Sequence, residues 1–440
     1  MNNKPRNIIF HLLLDFFSSN KSFKVIIDKS LKNLPELTKT DKKFIINISK
    51  GILRYKTILD FNISKYSKIK KIDKKTLILL YIGVYQLLYC DGIPNYAAVN
   101  TIVELSKNKH RKSTNFINAI LRKVEKSGFR IDEKSEDKEY IKINFLHPEW
   151  LLNKLINHYG ATKTRKILKL NLEIPKIWLR VNLLKITIKS IKDILDSNNI
   201  SFIQDAHLKI YLRVDRFDSS GTIIELIKEG LLYIQNPSSG HVVKLIDAQN
   251  DNRILDACSA PGGKASLLAQ LMKNKAKITC MDINEERMNK LKNNLSILNI
   301  LSIQYLLSDA LTYNTKIHYD KIIIDMPCSS SGTIRKNPDI KWRLNEGIIK
   351  EFQATQYKIL NNMKNSLKVG GEIVYSTCSI FNDENEYNII KFLKENDNFS
   401  ISNIEKLVPL KFINKIGGIT ILPNKNDYEG IFAIKLIKHA

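Results

Sequence analysis

The carboxyl-terminal half of the chain alternates regularly between short apolar runs and amphipathic segments. After Gly230, runs rich in Ile, Leu and Val are each followed by a segment with apolar residues at steps of three and four. Continuous apolar runs of this length are typical of strands buried on both faces, and the intervening periodicity is typical of helices. The pattern therefore predicts an α/β domain with a mostly parallel sheet covered by helices on both faces. The predicted strands are 253–256, 277–282, 303–307, one that ends at Asp325, one that ends at Cys378, and a terminal hairpin of 419–422 and 431–436.

Acidic residues stand where predicted strands end. Ligands of open α/β sheets bind at the carboxyl ends of the strands, and glycines in the first turn let the backbone approach a ligand closely. Here the first strand leads into Pro261-Gly262-Gly263-Lys264. Asp282, after the second strand, is placed to accept hydrogen bonds from a ribose, and Asp309, after the third, could bond an adenine amino group. These residues predict an adenosine-containing ligand; the alternative is that the acids merely end strands.

The turn after the first strand differs from the common phosphate-binding sequences. It has neither the GxGxxG pattern of dinucleotide sites nor the GxxxxGK[ST] spacing of a P-loop. A dinucleotide or ATP is therefore less favoured than another adenosine-containing ligand.

Two cysteines lie just beyond strand ends, Cys328 in Asp-Met-Pro-Cys and Cys378 in Tyr-Ser-Thr-Cys. A thiol of ordinary pKa, about 8.5, is only slightly ionised at neutral pH but is a strong nucleophile. Carbon 5 of cytosine accepts a methyl group only after a thiolate has added to carbon 6. Asp325 could protonate or hydrogen-bond ring nitrogen 3, and a second thiol could help to remove the carbon 5 proton. The residues predict this chemistry and leave open which cysteine attacks.

The remaining cysteines, Cys90, Cys258 and Cys280, are interpreted as small apolar fillers of the core. An odd count of five without a CxxC pair argues against a disulfide framework and a zinc site, and favours a reducing, cytoplasmic location. Residues 6–17 resemble an amphipathic helix rather than a signal peptide. The longest apolar run, 76–90, is shorter than the ~20 residues of a spanning helix and predicts a buried one.

The amino-terminal part, to about residue 130, shows helical periodicity without strand-like alternation. The charged segment 128–142 is interpreted as a linker. A strand at 177–182, a helix at 188–198 and strands at 200–204 and 208–214 then predict a small α/β unit, a type that often presents a sheet face to RNA.

The formal net charge of +26 and the pI of about 9.6 indicate a polyanionic partner, with nucleic acid first among candidates. The alternative is coding bias, because Lys far outnumbers Arg and the chain is rich in Ile and Asn.

Several motifs resemble the signatures of the Nop/Sun family of S-adenosylmethionine-dependent RNA cytosine-C5 methyltransferases. The main ones are Asp256-Ala-Cys-Ser-Ala-Pro-Gly-Gly-Lys264, Asp325-Met-Pro-Cys328 with Gly332, and Tyr375-Ser-Thr-Cys-Ser379. Supporting stretches are Leu179-Arg-Val-Asn182, 332–342, the acidic Asn382-Asp-Glu-Asn-Glu386, and 422–432. Asn236 stands where the family usually has Asp. The helical amino terminus, through Asn115-Phe-Ile-Asn-Ala-Ile-Leu-Arg122, resembles the NusB-like domain fused to the bacterial Sun/Fmu-type enzymes of small-subunit rRNA.

The resemblance implies three domains. They are an all-α NusB-like RNA-binding domain (1–130), a small α/β linker and RNA-contact domain (131–229), and a Rossmann-like methyltransferase domain (230–440). It further implies methylation of a specific 16S rRNA cytosine, S-adenosylmethionine as the methyl donor, no metal, no membrane, and a monomer that acts before full ribosome assembly.

The resemblance also assigns roles to individual residues. Cys378 would be the nucleophile, Cys328 would assist product release, and Asp325 would contact both base and cofactor. The implied cofactor residues are Cys258, Ser259, Ala260, Pro261, Gly262, Gly263, Lys264, Asp282, Asp309 and Asp325. Three alternatives remain: a tRNA cytosine-C5 methyltransferase, a non-catalytic RNA-binding assembly factor, and, more distantly, a dithiol redox protein.

Overall fold

The computed structural model describes residues 4–128, 147–215 and 221–440, which form two compact units. The helical unit comprises Met1–Ile174 together with Ile334–Leu344, and the α/β unit comprises Pro175–Thr333 together with Asn345–Ala440. Apart from Gly128, the predicted linker lies outside the described residues over 129–142. No described helix is long and apolar enough to cross a membrane.

The first part of the helical unit has only helices among its described elements, as the periodicity predicts. Thr38 caps the longest of them in a capping box with Asp41, and Asp73 caps the next one, whose residues from Ile78 to Val84 are buried. Gly160 has a φ of +75° and interrupts the helix Glu149–Leu170. The helices of this unit that precede the second segment are Lys4–Phe16, Phe23–Lys32, Lys39–Ser64, Lys74–Tyr89, Asn95–His110, Thr114–Ser127 and Glu149–Leu170.

The helical unit also holds a segment that is distant in sequence, Ile334–Leu344, with its short helix Ile340–Arg343. The Trp342 indole N–H donates to the Leu53 carbonyl over 2.6 Å, and the Lys341 ammonium donates to the Arg54 carbonyl over 2.7 Å. Asp339 accepts a hydrogen bond from the Phe23 backbone N–H at 3.2 Å. The chain therefore contributes a segment between the two predicted active-site cysteines to the helical unit, which no local sequence pattern indicates.

A four-stranded antiparallel sheet forms the small α/β part of the second unit. Its strands are β1 (Ile177–Val181), β2 (Phe202–Gln204), β3 (Tyr211–Val214) and β4 (Leu232–Ile234), in the order β2-β3-β1-β4. The helices Ile188–Ser197 and Thr222–Lys228 pack with one face of this sheet.

The small sheet extends past the predicted domain boundary at residue 230. Its strand β4 pairs with β1, and Leu179 lies opposite Ile234. The face with Trp178 and Tyr211 is buried in a core shared with the larger sheet, so this face is not open to RNA.

The larger sheet has the order β10-β12-β9-β8-β5-β6-β7, with β11 paired to β12. The pairs from β9 through β8, β5 and β6 to β7 are parallel, as predicted, and β10 to β12 join in antiparallel fashion. The terminal hairpin of β11 and β12 is confirmed, and the short β10 was not predicted. The strands are β5 (Arg253–Ala257), β6 (Lys277–Asp282), β7 (Ile303–Leu307), β8 (Tyr319–Asp325), β9 (Leu367–Thr377), β10 (Phe399–Ile401), β11 (Ile419–Ile421) and β12 (Ile431–Lys438).

Alternate residues of the central strands enter two different cores. Ile323 of β8 joins one apolar cluster, while its neighbours Ile322 and Ile324 join another. Strand side chains alternate between faces, so both faces of this sheet are buried and the strand ends remain for chemistry. The covering helices are Pro237–Ile246, Gly263–Leu271, Glu285–Ile297, Glu346–Met363 and Glu386–Glu395.

Candidate active site

The turn after β5 is shaped by backbone bonds and by glycine. The Ser259 N–H donates to the Met281 carbonyl at 2.8 Å, and the Ser259 hydroxyl donates to Asp256 at 2.9 Å. Gly262 has a φ of +93° and directly precedes the helix Gly263–Leu271. A side chain at Gly262 would be strained and would press on Leu291. The turn thus brings the first backbone N–H groups of a helix to the sheet edge.

Arg180 supports this turn from the small sheet. Its guanidinium is buried and donates to Gln235 at 2.6 Å, to the Gly263 carbonyl at 3.0 Å and to Ser266 at 2.8 Å. Burial lowers the pKa of Arg180. Arg180 of the Leu-Arg-Val-Asn motif therefore stabilises the turn, a role that the sequence did not suggest.

Asp282 ends β6 but is already engaged by the chain. Its carboxylate accepts the Ala260 N–H at 3.1 Å and the Asn284 N–H at 3.0 Å, and an Arg287 nitrogen lies 3.4 Å away. Only 2% of Asp282 is exposed. It therefore holds the Ser259–Pro261 loop in place.

Asp309 lies just beyond β7 and is half-buried, with one oxygen accepting the Leu311 N–H at 2.9 Å. Two apolar side chains that sequence reasoning missed, Ile283 and Leu311, follow the two acids and are exposed by 63% and 38%. Apolar side chains exposed beside polar groups are typical of small-molecule sites. Their exposure is visible only in the structure.

The structure brings the two predicted active-site cysteines together. β8 and β9 are parallel neighbours with Asp325 opposite Ser376, so Cys328 and Cys378 follow equivalent strand ends. Their sulfur atoms lie 3.3 Å apart, and Cys378 Sγ is also 3.3 Å from the Ser330 hydroxyl. The two thiols therefore lie next to each other at one edge of the sheet.

Lys264 and Asp325 form an ion pair beside the thiols, with 2.5 Å between Nζ and Oδ2. The Lys264 side chain is 10% exposed and that of Asp325 is 40% exposed. Burial alone would lower the pKa of Lys264, but the charge and hydrogen bond of Asp325 and the charge of Asp256 raise it. Lys264 is therefore charged, and Asp325 keeps an accessible edge.

The surroundings distinguish the two thiols. The hydrogen bond from Cys328 lowers the pKa of Cys378, and the Ser330 hydrogen bond and the charge of Lys264 act in the same direction, while burial and the charge of Asp325 oppose them. The same hydrogen bond raises the pKa of Cys328 well above its ordinary value, as do burial and the charge of Glu384. Cys378 gains a hydrogen bond from the Ser330 hydroxyl and the charge of Lys264, whereas the charge of Glu384 acts on Cys328, so the thiolate is favoured at Cys378 despite the opposing charge of Asp325.

A backbone crossing holds the loop that carries Cys328. The Gly332 N–H donates to the Cys378 carbonyl at 2.9 Å, and the Gly430 N–H donates to the Gly332 carbonyl at 2.8 Å. A Cβ at Gly332 would lie 2.3 Å from the Gly430 oxygen. Only glycine permits this approach.

The other cysteines agree with the filler interpretation to different degrees. Cys280 is fully buried in the core, while Cys90 and Cys258 are partly buried beside apolar clusters. Burial raises the pKa of Cys258 to about 12, so this thiol is not a nucleophile at neutral pH. Within residues 4–128, 147–215 and 221–440, no group of three or more His, Cys, Asp or Glu side chains could hold a metal ion.

Three family models match the chain in succession. Residues 3–126 match the NusB family, 147–219 match the ferredoxin-like domain of RsmF/B-like methyltransferases, and 243–437 match the family described as 16S rRNA methyltransferase RsmB/F. The probable ribosomal RNA small subunit methyltransferase B of Bacillus subtilis (strain 168) is 30% identical over 370 residues, covering 82% of each chain. The chain belongs to the RsmB/F family of 16S rRNA methyltransferases.

Other RsmB/F relatives span a similar extent. A probable small subunit methyltransferase B from Synechocystis sp. is 29% identical over 446 residues, 98% of this chain and 99% of that protein. The Yersinia pseudotuberculosis small subunit methyltransferase B is 30% identical over 82% of this chain and 81% of that protein.

Solved structures show the same fold. The crystal structure of PH0851 matches with a TM-score of 0.80 and 24% identity, covering 100% of this chain and 99% of that one. NSun6 from Pyrococcus horikoshii with SFG matches with a TM-score of 0.61 and 20% identity, covering 67% and 98%. Together with the family models, they confirm a Rossmann-like domain with a mixed sheet, a ferredoxin-like domain and a NusB-like helical domain.

The side chain of Asn236 is held by three hydrogen bonds. Its side-chain oxygen accepts the N–H groups of Ser238 and Glu429, both at 3.1 Å, and its amide N–H donates to the Asp427 carbonyl at 2.8 Å. A carboxylate could not make the last of these bonds. Asn236 therefore caps the helix Pro237–Ile246 and secures the loop before β12.

Proposed function

We propose that this protein transfers a methyl group from S-adenosylmethionine to carbon 5 of a specific cytosine in 16S rRNA, through a covalent adduct between Cys378 and carbon 6. The observation that carries the proposal is the pair of thiols with opposite pKa shifts, 3.3 Å apart and next to Lys264 and Asp325. Membership of the RsmB/F family supports methyl transfer to small-subunit rRNA.

The turn after β5 fits the proposed methyl donor. S-adenosylmethionine supplies an electrophilic methyl group. The N-terminus of the helix Gly263–Leu271 favours an anionic group such as its carboxylate, and the open glycine turn permits close approach. We assign the ribose to Asp282, the adenine edge to Asp309, and the flat faces of the adenine to Ile283 and Leu311.

Cys378 is the proposed nucleophile because its surroundings favour the thiolate. Attack on carbon 6 pushes ring electrons towards carbon 5 and nitrogen 3. Asp325 has an accessible edge, and we propose that it passes a proton from solvent to nitrogen 3 and takes it back when the product is released, while the ammonium of Lys264 beside it stays charged. Charge that develops during attack is thus met by groups already in place.

Cys328 is the proposed assistant in product release. Once Cys378 is bonded to carbon 6, it can no longer hold the Cys328 proton in a thiol–thiolate hydrogen bond, which is the largest cause of the raised pKa of Cys328. Cys328 can then give its proton to water and take up the proton of carbon 5. The carbon–sulfur bond breaks, and Cys378 leaves as a thiolate.

The substrate cytosine must leave its stack before Cys378 can reach carbon 6, and unpaired loops of folded rRNA make this inexpensive. The net charge of +26 fits an RNA ligand. For each phosphate of a single strand that the protein neutralises, the slope of log affinity against log salt concentration becomes steeper by about 0.7.

The first test is transfer of a radiolabelled methyl group from S-adenosylmethionine to purified small-subunit rRNA, with tRNA in a parallel reaction and bisulfite sequencing of both. We expect label in rRNA as 5-methylcytosine at one position. Label in tRNA alone would show that tRNA is the substrate. Labelled rRNA in which no cytosine resists bisulfite conversion would refute methylation at carbon 5.

The second test separates the thiols. Cys378→Ala should abolish both methylation and the covalent protein–RNA complex on a denaturing gel, whereas Cys328→Ala should accumulate that complex. Cys90→Ala, in the helical unit, is the matched control and should behave as wild type. A trapped complex with Cys378→Ala and none with Cys328→Ala would reverse the two roles.

A further inference from the structure

The acidic stretch after β9 contains a buried carboxylate for which the proposed reaction has no role. Glu384 ends the short helix Asn382–Glu384 and has no exposed surface. A buried carboxylate is costly unless its oxygens are bonded. Its bonding partners therefore indicate what it is for.

Those partners include the residue that follows each reactive cysteine. Ser329, after Cys328, donates its N–H to Glu384 Oε1 at 2.8 Å and its hydroxyl to Oε2 at 2.5 Å. Ser379, after Cys378, donates its hydroxyl to the same Oε2 at 2.5 Å. Gln356 completes the set with an amide N–H to Oε1 at 3.0 Å. One carboxylate therefore ties both cysteine loops.

The hydrogen-bond pattern is satisfied by a carboxylate that accepts at both oxygens; burial raises the pKa of Glu384, and these hydrogen bonds act against that rise. Four donors reach its two oxygens, so each oxygen accepts two bonds. The Ser331 hydroxyl lies 3.0 Å from Ser379 Oγ and accepts the Ile380 N–H at 3.0 Å, and Ser379 Oγ also accepts the Phe381 N–H at 3.1 Å. An amide in place of the carboxylate would direct N–H groups at hydroxyls that must themselves donate.

We propose that Glu384 is a positioning residue of the active site, which holds the Cys328 and Cys378 loops in register so that the two thiols meet. This inference rests on the proposed function for its catalytic consequence. The negative charge of Glu384 also raises the pKa of Cys328, after the larger effects of the Cys378 hydrogen bond, burial and the Cys378 charge. Glu384 therefore favours the protonated form of Cys328.

The test uses Glu384→Gln in the full chain, with Glu372→Gln as the matched control. Glu372 is a largely buried carboxylate in the middle of β9, where it pairs with Lys321 and Lys435. If the two thiols are no longer held next to each other, kcat should fall by about 100-fold, as expected when a reacting group is displaced by about 1 Å. The KM for S-adenosylmethionine should not change, because Glu384 contacts none of the cofactor residues. Glu372→Gln should lower the melting temperature at least as much, with kcat near wild type.

A second readout does not depend on turnover. Iodoacetamide labelling at pH 7, quantified by mass spectrometry, should favour Cys378 over Cys328 in the wild type and in Glu372→Gln. In Glu384→Gln this preference should fall about tenfold, the effect of one pKa unit between the thiols. If Glu384→Gln does not fold, Ser379→Ala removes one donor and should shift kcat and the labelling ratio in the same direction.

An unchanged labelling ratio and unchanged kcat in Glu384→Gln would overturn the positioning role. Loss of kcat equal to that of Glu372→Gln would also overturn it, because the effect would then be general destabilisation. If the wild type methylates no rRNA cytosine, the proposed function fails, and the labelling ratio alone decides the role of Glu384.

Discussion

Two largely buried lysines, one in each unit, have opposite electrostatic surroundings. Lys264 in the α/β unit lies 2.5 Å from Asp325 and its pKa is raised. Lys341 in the helical unit is 1% exposed and bonds the Arg54 carbonyl, and its pKa is lowered well below the ordinary value. Burial lowers the pKa of both, and the neighbours decide the outcome.

The causes at Lys341 are burial first and then the positive charges of Arg54 and Lys56. At Lys264 the neighbouring charges are carboxylates and the Cys378 thiolate. The first environment is that of a side chain holding a chain segment in place, and the second is that of a cation maintained for chemistry. A buried lysine is therefore no sign of function until its neighbours are known.

Lys264→Met should produce the largest effect of this comparison. Methyl transfer should fall about 10²- to 10³-fold, because the thiolate of Cys378 and the charge on the base lose a preorganised cation. Thermal stability should change little, because Asp325 is 40% exposed and remains hydrated. The measurements are kcat and the melting temperature, with the exposed Lys277→Met as control. Full activity in Lys264→Met would remove the lysine from the mechanism.

Lys341→Met should leave methyl transfer near wild type and change the pH dependence of stability. The folded pKa of Lys341 is lowered, so the unfolded chain binds more protons, and wild-type stability rises with pH between the folded pKa and about 10.4. The variant should lose this rise, which is at most about 1.4 kcal/mol per pH unit. Urea unfolding from pH 7 to 10 measures it, and the exposed Lys70→Met should retain the wild-type slope. An identical slope in Lys341→Met would show that the buried amine does not titrate.

The smallest expected effect is at Lys264, where the dependence of stability on pH has the opposite sign. Its folded pKa is raised, so its contribution to stability is complete below the unfolded value of about 10.4 and is lost as pH rises through the folded value. Wild type should therefore lose stability above pH 10.4 relative to Lys264→Met, again by no more than about 1.4 kcal/mol per pH unit. The difference between the two urea midpoints at pH 10 and 11 tests the sign.

The elements of this protein and the residues at its strand ends follow from the amino-acid sequence alone. Continuous apolar runs and helical periodicity are local properties, so β5 to β9, the terminal hairpin and the early helices could be predicted. Asp282, Asp309, Asp325, Cys328 and Cys378 could be placed at one sheet edge, because parallel strands end together. The choice between the thiols could not be derived from the residues and rested on family resemblance.

How those residues are held and charged depends on contacts that form only when the chain folds. Glu384 meets Ser329 across 55 positions, and Lys341 meets Arg54 across 287, distances over which no periodicity carries information. The pairing of β4 with β1, the brace from Arg180 and the Gly332–Gly430 crossing depend likewise on segments that meet after folding. Because a pKa depends on the charges and burial around a group, the favoured thiolate at Cys378 follows from packing, while the presence of two thiols follows from sequence.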